Sequence, residues 1–157
     1  MKQPVETPQS APEKKKALPT QPVSAPIKTV TGLPKLFANG LKEMYWVENH
    51  LLKSISKMIN AAGSAQLKQA LTTHWQNTKQ PAVQLKNAIK LLDENIEAKK
   101  CDACEGLVMW GEHVIENTAR NTEARDLGII MSVLKVVNFK ITSYTGLIKL
   151  AKTLGKN

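Results

Sequence analysis

Two glutamates stand on apolar helical stripes, where an unpaired charge is costly. Glu48 and Glu105 each fall among apolar residues that recur at helical spacing. A carboxylate inside a helical bundle is unfavourable unless it is paired or bound to a metal, so both glutamates are candidate metal ligands. The residues alone favour a plainer interpretation, in which each glutamate lies at the edge of its stripe with its carboxylate in water.

The histidines do not extend these two glutamates into a di-metal motif. A di-metal centre in a bundle commonly takes Glu-x-x-His from each of two helices and a further Glu from each of the other two. Three positions before the three histidines of this chain stand Val47, Leu71 and Trp110, so no Glu-x-x-His is present.

Cys101 and Cys104 form a C-x-x-C motif at the predicted start of a helix. A helix N-terminus lowers the pKa of a thiol, which makes the two cysteines a candidate redox pair. A thioredoxin-like role would also need a βαβ unit, which the sequence does not predict. The more ordinary interpretation is two small buried residues.

Helical periodicity begins near residue 33 and predicts four helices. They span about 34–61, 65–92, 102–118 and 122–155, and Pro81 should kink the second. Short connections between long amphipathic helices make antiparallel neighbours, so the predicted fold is an all-α, antiparallel four-helix bundle. The last predicted helix carries an apolar series: Leu127, Ile130, Val133, Leu134, Val137, Ile141, Tyr144, Ile148 and Ala151.

Residues 1–32 differ in composition from the rest of the chain. They hold six prolines among Ser, Thr, Gln, Lys and Ala, which predicts a disordered arm and leaves 33–157 as the bundle. The N-terminus has no apolar core of a secretory signal, and no apolar run approaches the ~18 residues of a membrane span. We therefore expect a cytoplasmic protein with reduced cysteines.

The chain is basic throughout, with a net charge of +9. The arm holds five lysines and two glutamates, and the remainder holds seventeen basic and eleven acidic residues. Such a surface attracts nucleic acid or other anionic surfaces without specificity, and Lys14–Lys16 would make such a contact from the arm. Solubility alone is the plainer explanation.

Three collinear stretches carry a resemblance to a known family. LPKLFANGLKEMYWVENHLLKSISKM, AKKCDACEGL and SYTGLIKLAKTLG resemble the YciE/YciF family of ferritin-like bacterial proteins over about residues 33–155. The resemblance implies a ferritin-like bundle with a di-iron-type centre and a stress-related role. It places Glu48, Glu105 and Tyr144 at family positions, and so implies that both glutamates face inward.

Other family positions are changed. Asn77 and Pro81 stand where the family has Glu and His or Gln, and Val137, Asn138 and Lys140 stand where it has Glu, His and Glu. Two carboxylates are too few for a di-metal centre, because such cations take four or more ligands. The metal site is therefore expected to be degenerate.

Lys140 offers a replacement for the missing charge. It shares a face of the last predicted helix with Tyr144, and its ammonium could pair with Glu48 or Glu105 in place of a cation. The sequence thus favours a non-catalytic binding or structural subunit without a cofactor. The chain ends before the fifth helix usual in the family, which favours an exposed apolar groove and a homodimer or a family-partner subunit.

Two alternatives stay open at this point. One is a residual di-iron-type metal-binding or redox protein that holds iron or manganese through Glu48, Glu105 and His74, with Cys101 and Cys104 as a redox pair. The other is a basic stress protein that associates with nucleic acid.

Overall fold

The computed structural model describes residues 32–156, which form an all-α bundle. It contains five helices: α1 (Leu33–Ala61), α2 (Ala65–Asn77), α3 (Lys79–Lys90), α4 (Asp102–Glu116) and α5 (Glu123–Thr153). Strands are absent from these residues, and α1 packs against each of the other four helices. The all-α prediction is confirmed, whereas the predicted disordered arm lies outside the described residues.

The second predicted helix is interrupted near Pro81, as expected, and its two parts are separated by Thr78 alone. α2 ends at Asn77 and α3 begins at Lys79, so the break lies ahead of Pro81. Proline has no N–H to donate to the carbonyl four residues earlier, which here belongs to Asn77, and its ring crowds that carbonyl. The break therefore falls where the missing hydrogen bond would have been, and α2 and α3 together take one position in the bundle.

α1 supplies the central stripe of the core. Pro34 lies in its first turn, where the absent N–H costs little. Its inward positions recur every three or four residues, as the sequence predicts, and all are buried: Phe37, Leu41, Met44, Glu48, Leu51, Ile55 and Met58. The only charged residue in this stripe is Glu48.

The first turn of α5 makes hydrogen bonds to the C-terminal end of α4 and to the turn that follows α1. Arg125 is buried and donates to the carbonyl oxygens of Ile115 and Thr118, which closes the C-terminal end of α4. The carboxylate of Asp126 accepts hydrogen bonds from the backbone N–H of Gly63 (2.7 Å) and Ser64 (2.8 Å), at the turn between α1 and α2. Neighbouring residues thus join α5 to two separate turns.

The apolar series of the last predicted helix largely faces outward, whereas an apolar stripe on a helix usually faces the core. Five of its nine members are exposed and the other four are half-buried. The residues of α5 that are buried against the bundle are instead Arg125, Ile129, Ser132, Val136 and Leu147. By length and composition α5 is also the one helix among residues 32–156 that would suit a membrane span, although it packs against α4 and α1.

Candidate functional site

Glu48 is the centre of a buried polar cluster. Its side chain is 0% exposed, and each of its two oxygens has its own donor. Tyr144 Oη donates to Oε1 at 2.7 Å, and Lys140 Nζ donates to Oε2 at 2.9 Å. We call Glu48, Lys140 and Tyr144 the core triad.

Helix geometry brings the core triad together. Glu48 lies in the middle of α1, and Lys140 and Tyr144 are four residues apart on α5, which places them on one face of that helix. Lys140 keeps its ammonium largely buried, with 15% of its side chain exposed. The cluster is therefore a buried ion pair with a neutral hydrogen-bond donor beside it.

Two side chains at this site stay neutral, Tyr144 and His74. Burial, together with the hydrogen bond to Glu48, raises the pKa of Tyr144 far above its usual range, so its phenol stays protonated. Burial and the nearby Lys140 ammonium lower the pKa of His74, so its imidazole is neutral at physiological pH. The charges at this site are those of Glu48 and Lys140.

Glu105 is not part of the core triad. Its Oε2 lies 3.0 Å from His50 Nε2, and its side chain is 28% exposed. The two atoms are not aligned as a hydrogen bond, and neither has a hydrogen-bond partner among the described residues, so the contact is a Coulomb attraction that exists when His50 is protonated. The shared inward site implied for Glu48 and Glu105 is thus divided into two separate pairs.

The partner of Glu105 was missed at the sequence level. Trp46 and His50 are four residues apart on α1, and their rings stack with centroids 4.3 Å apart. A Trp-x-x-x-His spacing places both rings on one helical face, but nothing in the spacing says that Glu105 on α4 lies opposite. Glu48 comes two residues before His50 and so lies on the other side of α1.

The two cysteines are free thiols at the start of α4. Cys101 is half-buried, whereas Cys104 is 0% exposed. Burial raises the pKa of the Cys104 thiol to about 12, and nearby charges, of which that of Cys101 contributes most, add to the effect. A thiol of that pKa stays protonated at neutral pH, and a thiolate is the nucleophile in disulfide exchange.

The donor set does not fit a di-metal centre. Among residues 32–156 no three His, Cys, Asp or Glu side chains come close enough together to share a metal ion. Both oxygens of Glu48 accept hydrogen bonds from cationic or neutral donors, and the ammonium of Lys140 lies on the carboxylate where a cation would bind. A metal ion at Glu48 would have to displace the ammonium of Lys140 or lie beside it, and like charges at that distance repel.

These features define a class of protein: an all-α helical bundle with an internal lysine–glutamate pair. Residues 32–157 match the model of a family described as a domain of unknown function, DUF892. The chain belongs to this family. Its relatives show that this is the YciF type of bundle, in agreement with the resemblance seen in the sequence.

Three comparisons support the assignment. The chain is 32% identical over 122 residues to the protein YciF of Escherichia coli K12, which covers 76% of this chain and 72% of YciF. The crystal structure of the E. coli stress protein YciF superposes with a TM-score of 0.74 at 30% identity, over 80% of this chain and 79% of that one. YcfI of Rhodopseudomonas palustris, described as a candidate structural protein, gives 0.77 at 27% identity, over 82% and 81%.

Proposed function

We propose that this protein is a stress-related, non-catalytic member of its family, which acts in the cytoplasm as a binding or structural subunit. The observation that carries the proposal is the 2.9 Å pair between Lys140 Nζ and Glu48 Oε2. An ammonium in that place supplies a positive charge to the buried carboxylate without any metal.

The chemistry of the core triad supports a structural role. The carboxylate of Glu48 already accepts from an ammonium and a phenol, and the positive charge of that ammonium disfavours a further cation at the same place. The other sequence candidates are apart from the triad, because Glu105 pairs with His50 and the Cys104 thiol is protonated. The names of the relatives, one a stress protein and one a candidate structural protein, agree with this proposal.

Metal content after growth in iron- and manganese-supplemented medium tests the proposal. We expect no iron or manganese above background in the folded protein, and no peroxide-dependent turnover. Glu48→Ala combined with Glu105→Ala should leave the metal content unchanged.

The matched control removes two surface carboxylates from the same two helices, Glu43 of α1 and Glu112 of α4, each of which pairs with a surface lysine. Near-stoichiometric metal that is lost in the Glu48/Glu105 variant but kept in the Glu43/Glu112 variant would overturn the proposal. That outcome would establish a working metal protein that uses the residual carboxylates.

A further inference from the structure

A long stretch of the chain carries positive charge without any negative charge. Between Glu48 and Asp93 there is no aspartate or glutamate, whereas there are six lysines. Four of these lysines belong to α2 and α3, and all four are exposed: Lys68, Lys79, Lys86 and Lys90. None of the four makes an ion pair with a carboxylate of residues 32–156. We call these four residues the lysine row.

The lysine row follows one side of α2 and α3. Its members are 11, 7 and 4 residues apart, which correspond to about three, two and one turns of an α-helix. Thr78, the one residue between the two helices, has a helical backbone conformation with φ −74° and ψ −15°, so the rotation continues through it. The four ammonium groups therefore lie on the same side over about 33 Å of helix.

Amide side chains stand beside the lysine row. They are 7, 4 and 7 residues apart and all are exposed: Gln69, Gln76, Gln80 and Asn87. Lysine, glutamine and asparagine are among the donors that contact phosphate oxygens in protein–DNA complexes. Among residues 65–92, Val83 and Leu91 are the only large apolar side chains that are exposed. A helix that binds an anionic membrane inserts an apolar face beside its lysines, so this surface favours a polar polyanion instead.

The length of the lysine row fits a double helix. We infer that the face of α2 and α3 that carries the lysine row and the amides binds the phosphate backbone of a nucleic-acid duplex. Its length of about 33 Å is close to one turn of duplex DNA, which is about 34–36 Å. A duplex carries one negative charge about every 1.7 Å along its axis, so each lysine of the row can meet a phosphate.

The aromatic residue of this region does not offer a platform for single strands. Proteins that bind single strands stack the bases on exposed aromatic rings. Trp75 is the one tryptophan, tyrosine or phenylalanine of residues 62–92, and it is half-buried. Lys79 Nζ lies over its ring at 3.8 Å, and its indole N–H donates to the carbonyl oxygen of Leu52 at 3.0 Å. The ring is thus occupied within the protein, which favours the duplex.

The lysines of α5 do not form a comparable surface. Lys140 is paired inside the bundle with the carboxylate of the core triad, and Lys135 lies over the ring of Trp110 at 3.2 Å. Lys149 and Lys152 are exposed, but they stand together at the C-terminal end of the helix. These two lysines therefore provide a control for the lysine row.

The size of the face predicts binding without sequence preference. Residues 65–90 present roughly 39 Å by 10 Å, or about 390 Å², whereas a small sequence-specific DNA-binding module buries about 600–1,000 Å². Contacts to phosphates position a protein but carry no sequence information. The lysine row is on the outside of the bundle and the core triad is inside it. This partner therefore goes beyond the proposed function and does not depend on the metal content of the protein.

The salt dependence of binding is the first test. Fluorescence anisotropy of a labelled DNA duplex of about 20 base pairs, titrated with the full chain at about 25–200 mM salt, gives the slope of log Kobs against log salt concentration. Replacement of the whole lysine row by glutamine should reduce the magnitude of this slope by about 3.6, because each lost phosphate contact removes about 0.9. Binding at about 50 mM salt should weaken about tenfold or more.

The matched control makes the same change of charge elsewhere. It replaces by glutamine four exposed lysines that make no ion pair among residues 32–156: Lys35, Lys149, Lys152 and Lys156. We expect this variant to change the slope by less than about 1, and circular dichroism shows whether both variants keep their helices. Equal weakening by the two variants would mean that only the net charge attracts DNA, and it would overturn the inference.

Insertion of negative charge tests the same face in another way. Gln76→Glu combined with Gln80→Glu places two carboxylates beside the lysine row and should weaken duplex binding about fivefold or more at about 50 mM salt, because like charges then oppose each other. Asn138→Glu combined with Thr145→Glu, at exposed positions of α5, should weaken it less than about twofold, because charges beyond a Debye length are screened. The same loss in both double variants would contradict the assignment to α2 and α3.

Other polyanions test the class of partner. An RNA duplex titrated beside the DNA duplex shows which of the two backbones binds more tightly, and that binding should be the one that the lysine-row variant loses. Vesicles with about 30% phosphatidylserine, poly-glutamate and a single strand of the same length are the competing probes. Binding of any of these that is tighter than duplex binding and depends on the lysine row would overturn the inference.

Discussion

The carboxylate of Glu48 is held away from water by two donors on α5, and this has an energetic consequence. A buried ion pair gains little over well-packed apolar residues, but removal of one partner leaves the other charge buried and alone. Lys140 and Glu48 are therefore expected to tolerate joint replacement better than single replacement.

A double-mutant cycle measures this coupling. Lys140→Met and Glu48→Gln should each lower the free energy of unfolding by about 3–5 kcal/mol, because each leaves one buried charge without its partner. The double variant should lose much less than the sum of the two, because it leaves no charge there. Urea denaturation monitored by circular dichroism provides the values. Lys149→Met, on an exposed position of the same helix, should change stability by less than about 0.5 kcal/mol. Single variants that leave stability unchanged would refute the pairing.

His74 should make stability depend on pH. Burial, then the nearby Lys140 ammonium, lowers its pKa below the usual value of 6.5. The unfolded chain consequently takes up a proton at His74 before the folded chain does, and stability falls as pH falls below about 6.5. We expect His74→Gln to lose less stability than the native chain between pH 7.5 and pH 5.5, as measured by urea midpoints. An equal loss in both proteins would show that His74 is not the titrating group.

At the scale of the helices, the contact between α4 and α5 depends on small residues. A Cβ added at Gly111 would lie 3.2 Å from the Cβ of Ser132 and 2.7 Å from the terminal carbon of Met58, whereas one added at Gly106 would meet nothing within 4 Å. Met58 can move aside, but Ser132 is fixed to the backbone of α5. The two helices approach closely because Gly111 has no side chain.

Two glycine substitutions on α4 should therefore have opposite effects. Gly111→Ala should destabilise the protein by about 1–3 kcal/mol through overpacking. Gly106→Ala should stabilise it by up to about 1 kcal/mol, because alanine is the better helix former where space is open. Thermal unfolding of the two variants beside the native chain gives the comparison. A stabilising Gly111→Ala would mean that α5 is free to shift away from α4.

The helices show what a sequence pattern can and cannot predict. Periodicity located α1 and its inward stripe because the buried positions there are apolar except for Glu48 and Ser54. On α5 the apolar series does not mark the buried face, because the exposed side is richer in Leu and Ile than the buried side, which contains Arg125 and Ser132. A pattern predicts that an apolar face is covered but does not say by what.

At the scale of the whole molecule, the candidate site was predictable only in part. The resemblance pointed to Glu48 and Tyr144, and helical spacing placed Lys140 on the face of Tyr144, which together name the core triad. The position of Glu105 could not be foreseen in this way. Its contact with His50 depends on the rotation of α4 relative to α1, and such a rotation is set by packing across the whole bundle.

The overall charge leads to a further prediction. With a net charge of +9, the chain should bind duplex DNA weakly at about 50 mM salt and lose most of that binding by about 200 mM, as counterion release requires. Replacement of Lys14, Lys15 and Lys16 by alanine should weaken binding equally for unrelated DNA sequences. Fluorescence anisotropy at several salt concentrations measures both effects. Binding that persists in high salt and prefers one sequence would favour the nucleic-acid function instead.

Arg125 and Asp126 each stabilise a turn, but their hydrogen-bond partners lie at very different distances along the sequence. Arg125 reaches Ile115 and Thr118, ten and seven residues away, whereas Asp126 reaches Gly63, sixty-three residues away. Contacts between near neighbours form at a lower entropic cost of loop closure. The α4–α5 hairpin should thus assemble early, with the α1–α2 turn joining later. Loss of Asp126 should then mainly quicken unfolding, while loss of Arg125 should slow folding.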